Sequence, residues 1–233
     1  MRGILRMIPS SYESSIPIIT ANLVMYVDAS ITESYIGSGT VVNDISPSAQ
    51  VGSLMNGVGY SSSDGGSFVF DGVNDYIDMG SNIVLQPIVA GTYNIWFKVA
   101  TFGAGALLSN LNSNLGYPGV EIWQDSGGLR GAVGTISSFH QFFGTTGIQN
   151  IWRMVTIAFD GANVKGYVNG VEISSVNHSL TFARSGLRTL IGQQEPSPYP
   201  LKGNVGSAFI YDGKQSGTDI LDNFNRTKTR YGI

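Results

Sequence analysis

Residues 152–174 read WRMVTIAFDGANVKGYVNGVEIS, and their pattern decides the fold. Apolar residues recur at every second position, which puts Val155, Ile157 and Phe159 on one side of a strand and Thr156 and Ala158 on the other. The run stops at DGAN, resumes, and stops again at Asn169-Gly170. Asn-Gly is the dipeptide that type I′ hairpin turns favour, because both central residues take positive φ. The stretch predicts a three-strand antiparallel meander.

The same rhythm extends in both directions. NLVMYVDAS, SFVFDG, TYNIWFKVA, GVEIWQD, GLRGAVG, RTLIGQ and GNVGSAFIYDG are strand-like runs separated by turn signals, the spacing of a β-sandwich. Composition agrees: charged residues make up only 12% of the 233-residue chain, while 31 glycines supply turns. A length of this order suits a single all-β domain. The one persuasive helix lies in SGTDILDNFNRTKTRYG, where Ser216 or Thr218 can cap and Ile220, Leu221 and Phe224 form an apolar face. Arg226, Lys228 and Arg230 then suit the negative end of the helix dipole. Residues 1–20 mix apolar residues with prolines and serines without a sustained period, and read as an extended arm ahead of a sandwich over 21–233.

Several function classes fall away. A net charge of −3 gives no global attraction for nucleic acid. With no cysteine, disulfides, thiol catalysis and zinc–thiolate sites are excluded. No run approaches the ~18 apolar residues of a membrane span, and the opening MRGILRMIPSS lacks a signal-peptide core, so the expectation is a protein made in the cytoplasm.

Four pieces carry a family likeness: GSFVFDGVNDYIDMG (66–80), the meander, LIGQ followed by LKGNVGSAFIYDGKQSGTDI, and the closing NFNRTKTRYGI. Over roughly 22–233 they resemble the laminin-G-like, concanavalin A-like lectin/glucanase jelly roll. The resemblance implies an antiparallel jelly-roll β-sandwich with a short C-terminal helix. A narrower likeness, in NLVMYVDASITESYIGSGTVVNDIS and SLMNGVGYSSSDGGSFVFDG, is to the version found in tailed-phage virion proteins. Val42 departs from it, standing where that group carries tryptophan.

The acidic corner of 66–80 admits two readings. As a turn, Asp71 and Asn74 accept backbone N–H groups, Gly72 supplies positive φ and Asp75 fixes the return strand. As a Ca²⁺ site, Asp71, Asp75 and Asp78 supply hard oxygen ligands. Trp123 beside Gln124 and Asp125 offers a flat ring for stacking on a sugar with polar neighbours for its hydroxyls, and Tyr199 stands in the proline-stiffened loop QQEPSPYP (193–200). Trp96 and Trp152 lie in strand patterns and read as packing. Glycan-cleaving members of the fold place alternating acids on one strand; here only Glu121 and Asp125 approach that spacing, without a third partner, and His140 and His178 lack a paired acid. No catalytic residue is assigned.

The expectation is thus a non-enzymatic virion structural protein, first a capsid decoration protein, contacting the major capsid protein or other virion proteins through Arg2, Arg6 and Tyr12 of the arm. The alternative is a lectin or adhesin that recognises host surface glycans through rim loops around Trp123, Asp125 and Tyr199, with Ca²⁺ as the one cofactor considered. Homotrimers are common for such appendages, and no nucleic-acid or membrane partner is expected.

Overall fold

Short strands and tight turns account for most of the chain in the computed structural model, which describes residues 16–100, 103, 105–112, 114, 116–135, the backbone of 139–143, and residues 149–177, 182–195 and 198–233. In chain order the first strands are β1 (Leu23–Asp28), β2 (Val41–Asn43), β3 (Val51–Met55), β4 (Gly59–Ser61), β5 (Ser67–Asp71), β6 (Tyr76–Asp78), β7 (Gly91–Lys98) and β8 (Gly105–Ser109). Then come β9 (Gly119–Asp125), β10 (Gly128–Gly134), β11 (Phe139–Phe143), β12 (Arg153–Phe159), β13 (Asn163–Val168), β14 (Val171–Asn177), β15 (Leu190–Ile191) and β16 (Lys202–Tyr211). Helix α1 (Gly217–Thr227) follows.

The strands form two antiparallel sheets. The first runs β14-β13-β12-β7-β16-β5-β4, with β1 also on β16; the second runs β11-β10-β9-β8-β15-β6-β3-β2. The predicted meander is one end of the first sheet. Its β13–β14 turn has Asn169 and Gly170 at φ 51° and 78°, the positive pair that a type I′ turn requires. A side chain at Gly170 would meet Leu221 of α1 at 2.8 Å, so the turn also lets the helix sit close.

Strand alternation sorts the first sheet into two buried faces. Val155, Ile157 and Phe159 point into the core between the sheets, together with Phe68, Phe70, Ile95, Phe97, Ile122 and Ile77. Met154 and Ala158 point the other way, into a second apolar layer with Trp96, Trp152, Phe209, Ile220, Phe224 and Tyr231. That layer exists because α1 lies across the outside of the first sheet. Ser216 and Asp219 form a capping box at its start, satisfying backbone N–H groups that a helix N-terminus leaves open. Trp96 and Trp152 are packing residues, as expected: Trp96 stacks on Tyr231 at 4.2 Å between centroids and donates Nε1–H to Thr227 Oγ1 at 3.0 Å. Glycine at 206, at the bulge of β16, leaves room for the Tyr231 ring, since a Cβ there would lie 2.3 Å from its hydroxyl.

Two sets of contacts add to the sequence reading here. The basic C-terminal cluster does more than face a helix dipole: Arg230 Nη1 lies 2.6 and 2.8 Å from the two oxygens of buried Asp28, fastening the chain's end to β1. The arm does not run free as far as residue 20. Ile16 and Ile18 are buried in the outer layer, Ile19 N–H donates to Asn223 of α1 at 2.9 Å, and Tyr211 OH donates to Ile19 O. These apolar residues follow no period, so sequence pattern alone left them in the arm. Arg2, Arg6 and Tyr12 lie outside the described residues.

Candidate functional site

The outside of the second sheet carries no helix among the described residues, and β9 is an interior strand, third from the β11 edge. Ile122 is in the inter-sheet core, so Glu121, Trp123 and Asp125 point to the outer face. The cross-strand neighbours of Glu121 are Ser109 and Ala132; those of Trp123 are Ala106 and Arg130. Trp123 is partly exposed, whereas Ala106, Ser109 and Ala132 are short and buried. The indole is therefore the partly exposed apolar group here, with buried Ala106 on one side and Arg130 on the other, and a flat apolar face can stack on its exposed part.

Trp123 stands on the strand that GVEIWQD predicted, in the sheet face itself and not in the rim loops expected to carry the glycan site. Asp125 ends the strand on the same face. Its Oδ1 accepts Gly127 N–H at 2.7 Å and its Oδ2 accepts Arg130 Nε–H at 3.0 Å. Burial alone would raise its carboxyl, but Arg130 and the turn amides outweigh burial and hold it below the usual carboxylate range. Asp125 thus locks the β9–β10 hairpin and keeps Arg130 beside Trp123. Tyr199 is 45% exposed. Its carbonyl accepts Ala106 N–H at 2.9 Å, which puts it next to the strand neighbour of Trp123. The fold brings Trp123, Asp125 and Tyr199 into one neighbourhood.

Further residues enter that sequence reasoning did not assign to the face. Glu121 is buried, its Oε1 has no hydrogen-bond partner, and burial pushes its carboxyl up to about 8 even though Ser109 lowers it. At neutral pH it is an uncharged acid. Arg188 donates to Asp78 Oδ2 at 2.7 Å and to Glu195, tying the 193–200 loop to β6. The signal for Glu121 was its alternation with Trp123; its burial depends on the folded sheet.

The acidic corner resolves as a turn. Val73 N–H donates to Asp71 Oδ1 at 2.7 Å, Asp71 N–H to Asp75 Oδ2 at 3.0 Å, and Gly72 has φ 83°. Phe68, Phe70 and Ile77 are core. Asn74 contributes its carbonyl, accepting from Asn56 Nδ2, and not its side chain as expected. Asp71, Asp75 and Asp78 do not converge as a ligand set, because Asp78 is turned to the outer sheet face and engaged by Arg188. Among the described residues no group of three His, Cys, Asp or Glu side chains is placed to hold a metal ion. The side chain of His140, and His178 altogether, lie outside the described residues, and no described helix is long and apolar enough to cross a membrane.

A family model for the concanavalin A-like lectin/glucanases superfamily matches residues 71–221, from the acidic corner into α1. The chain belongs to that superfamily. No curated protein matches the sequence. Among solved structures, the binding domain of Paraclostridial Mosquitocidal Protein 1 superposes with TM-score 0.71 at 16% identity, covering 88% of this chain and 52% of that one. The ligand-binding domain of botulinum neurotoxin serotype D, solved with N-acetylneuraminic acid, gives 0.70 at 14% identity, over 93% and 52%. Domain 4 of an extracellular arabinanase from Geobacillus stearothermophilus, solved with arabinotriose, gives 0.67 at 16% identity, over 88% and 99%. This superfamily member thus spans about half the length of the toxin domains and nearly all of the arabinanase domain. At these identities the likeness shows the fold alone.

Proposed function

We propose that this chain is a glycan-binding module without catalytic activity, and that it binds on the outer face of the second sheet around Trp123. The observation that carries the reading is the partly exposed indole on an interior strand of that face, beside buried Ala106 and a positioned guanidinium. Stacking on Trp123 supplies the apolar contact, and Arg130 and the Tyr199 hydroxyl supply polar contacts for sugar hydroxyls. Similar folds solved with arabinotriose and N-acetylneuraminic acid support the ligand class. The occupation of the second carboxylate supports a binding role: Asp125, ionised, is bonded to the Gly127 amide and Arg130, so the strand offers Glu121 no free carboxylate to act with. The virion setting implied by the narrower sequence resemblance receives no support from these structures and is not needed for this role. A printed array that includes arabinotriose, sialyllactose and neutral oligosaccharides tests the reading. The wild-type chain binds a subset of the array and Trp123→Ala binds none of it while its melting temperature falls by only about 2–4 °C; binding that survives in the variant would move the site elsewhere.

A further inference from the structure

On the same strand face as Trp123, one residue pair away, stands a carboxyl that the fold leaves incomplete. Side chains at i and i+2 of a strand are about 7 Å apart, within the span of a single sugar ring and its hydroxyls. Glu121 is 5% exposed, and its Oε1 is a buried acceptor with no hydrogen bond from the protein. Buried polar atoms are ordinarily paired, and one that is not costs free energy that a ligand group can recover. Its cross-strand neighbours Ser109 and Ala132 are short and buried like Glu121 itself, so a ligand approaches it from the side of Trp123, the partly exposed residue next to it on the strand face. Glu121 has rotatable bonds enough to turn its free oxygen toward a ring seated on Trp123.

We propose that Glu121 is the selectivity residue of this face, a carboxyl that hydrogen-bonds a hydroxyl of the sugar stacked on Trp123. The proposal rests on the reading that this face binds glycans. A site built around such a bond discriminates strongly against sugars that lack the matching hydroxyl, because the buried polar group is then left unpaired. It also makes binding depend on the proton. Burial pushes the Glu121 carboxyl up to about 8, so the acid is neutral through physiological pH and ionises just above it. An ionised Glu121 loses its donor and holds a charge in a poorly solvated place.

The charged groups around it are already committed. Asp125 and Arg130 pair with one another at the far end of β9 and β10. Across β8 and β15, Arg188 pairs with Asp78 and Glu195. β8 contributes no titratable side chain, and the side chains of β11, His140 among them, lie outside the described residues.

The test is calorimetric titration of the tightest-binding array glycan into the wild-type chain, Glu121→Gln and Glu121→Leu, at pH 5.5 to 9.5, with melting temperatures measured alongside. The proposal predicts that wild-type affinity holds to about pH 8 and then falls by up to tenfold per pH unit, following the ionisation of Glu121. Glutamine keeps a donor and an acceptor but cannot ionise, so Glu121→Gln binds across the whole range with no fall. Glu121→Leu binds tenfold or more weakly than the wild type below about pH 8, with no further fall above it, while remaining at least as stable as the wild type. A wild-type profile flat to pH 9.5, or a leucine variant that binds like the wild type, overturns the proposal and leaves the Trp123 site standing. If no array glycan binds the wild type at pH 6, the glycan reading itself fails, and the proposal fails with it.

Discussion

The two sheets of the sandwich treat their outer faces in opposite ways. The first sheet hides its face beneath α1, the 3₁₀ turn at Lys228–Tyr231 and residues 16–18, producing a second apolar layer built on Trp96, Trp152 and Tyr231. The second sheet leaves its face to strands and loops, with Trp123 partly exposed on an interior strand and Val41 and Val51 exposed toward the β2 edge. Tryptophans on the two sheets therefore have different meanings. Where a ring is stacked, buried and hydrogen-bonded, it stabilises the fold; where part of its surface stays in water, as at Trp123, it contributes less to the fold and is the place we propose for ligand contact.

This contrast can be broken by substitution, and the sealed face should respond most. Trp96→Ala removes two stacked rings' worth of contact and the Thr227 hydrogen bond, and should cost about 3–5 kcal/mol in urea denaturation. Arg230→Met leaves Asp28 buried without its cation and should cost about 3 kcal/mol, the low end for a broken buried pair because Tyr26 and Ser30 still donate to that carboxylate. An effect that grows with pH belongs to Glu121 on the second sheet. Its carboxyl is raised in the folded chain from 4.5 to about 8, chiefly by burial, so the folded state holds a proton that the unfolded state has lost. The stability this contributes is complete below about 4.5 and drains away as pH rises to about 8, by up to about 1.4 kcal/mol per pH unit. Denaturation of Glu121→Gln at pH 5 and pH 8 should lack that fall. Trp123→Ala should change stability least, by about 1 kcal/mol, because the ring is only partly covered. A Trp123 variant that unfolds as readily as Trp96→Ala would erase the distinction between the faces.

What the sequence made legible follows from how far apart the interacting residues are. The meander and the capped helix were readable because period, turn dipeptide and cap are all local: Asn169-Gly170 names its own turn, and Ser216 with Asp219 its own cap. The acidic corner was readable as a turn for the same reason, since Asp71 bonds to residues two and four positions on. The sealing of the first sheet was not readable. Arg230 meets Asp28 across 202 positions and Ile19 meets Asn223 across 204, and neither pair leaves a pattern in the chain. The open site lay between these cases. Trp123 and Asp125 were visible as chemistry, and GVEIWQD as a strand, but which face they shared with Glu121, and that Asp125 is occupied by Arg130, depended on strand register.

The most direct measurement is a map of backbone amide chemical shifts as the tightest-binding array glycan is added to the isotopically labelled chain. The account predicts that the perturbed amides cluster on β8, β9 and β10 and around Tyr199, with α1 and the Trp96 layer unmoved. Perturbations confined to α1, the acidic corner at 71–78 or the β2 edge would contradict the assignment of ligand binding to the open face of the second sheet.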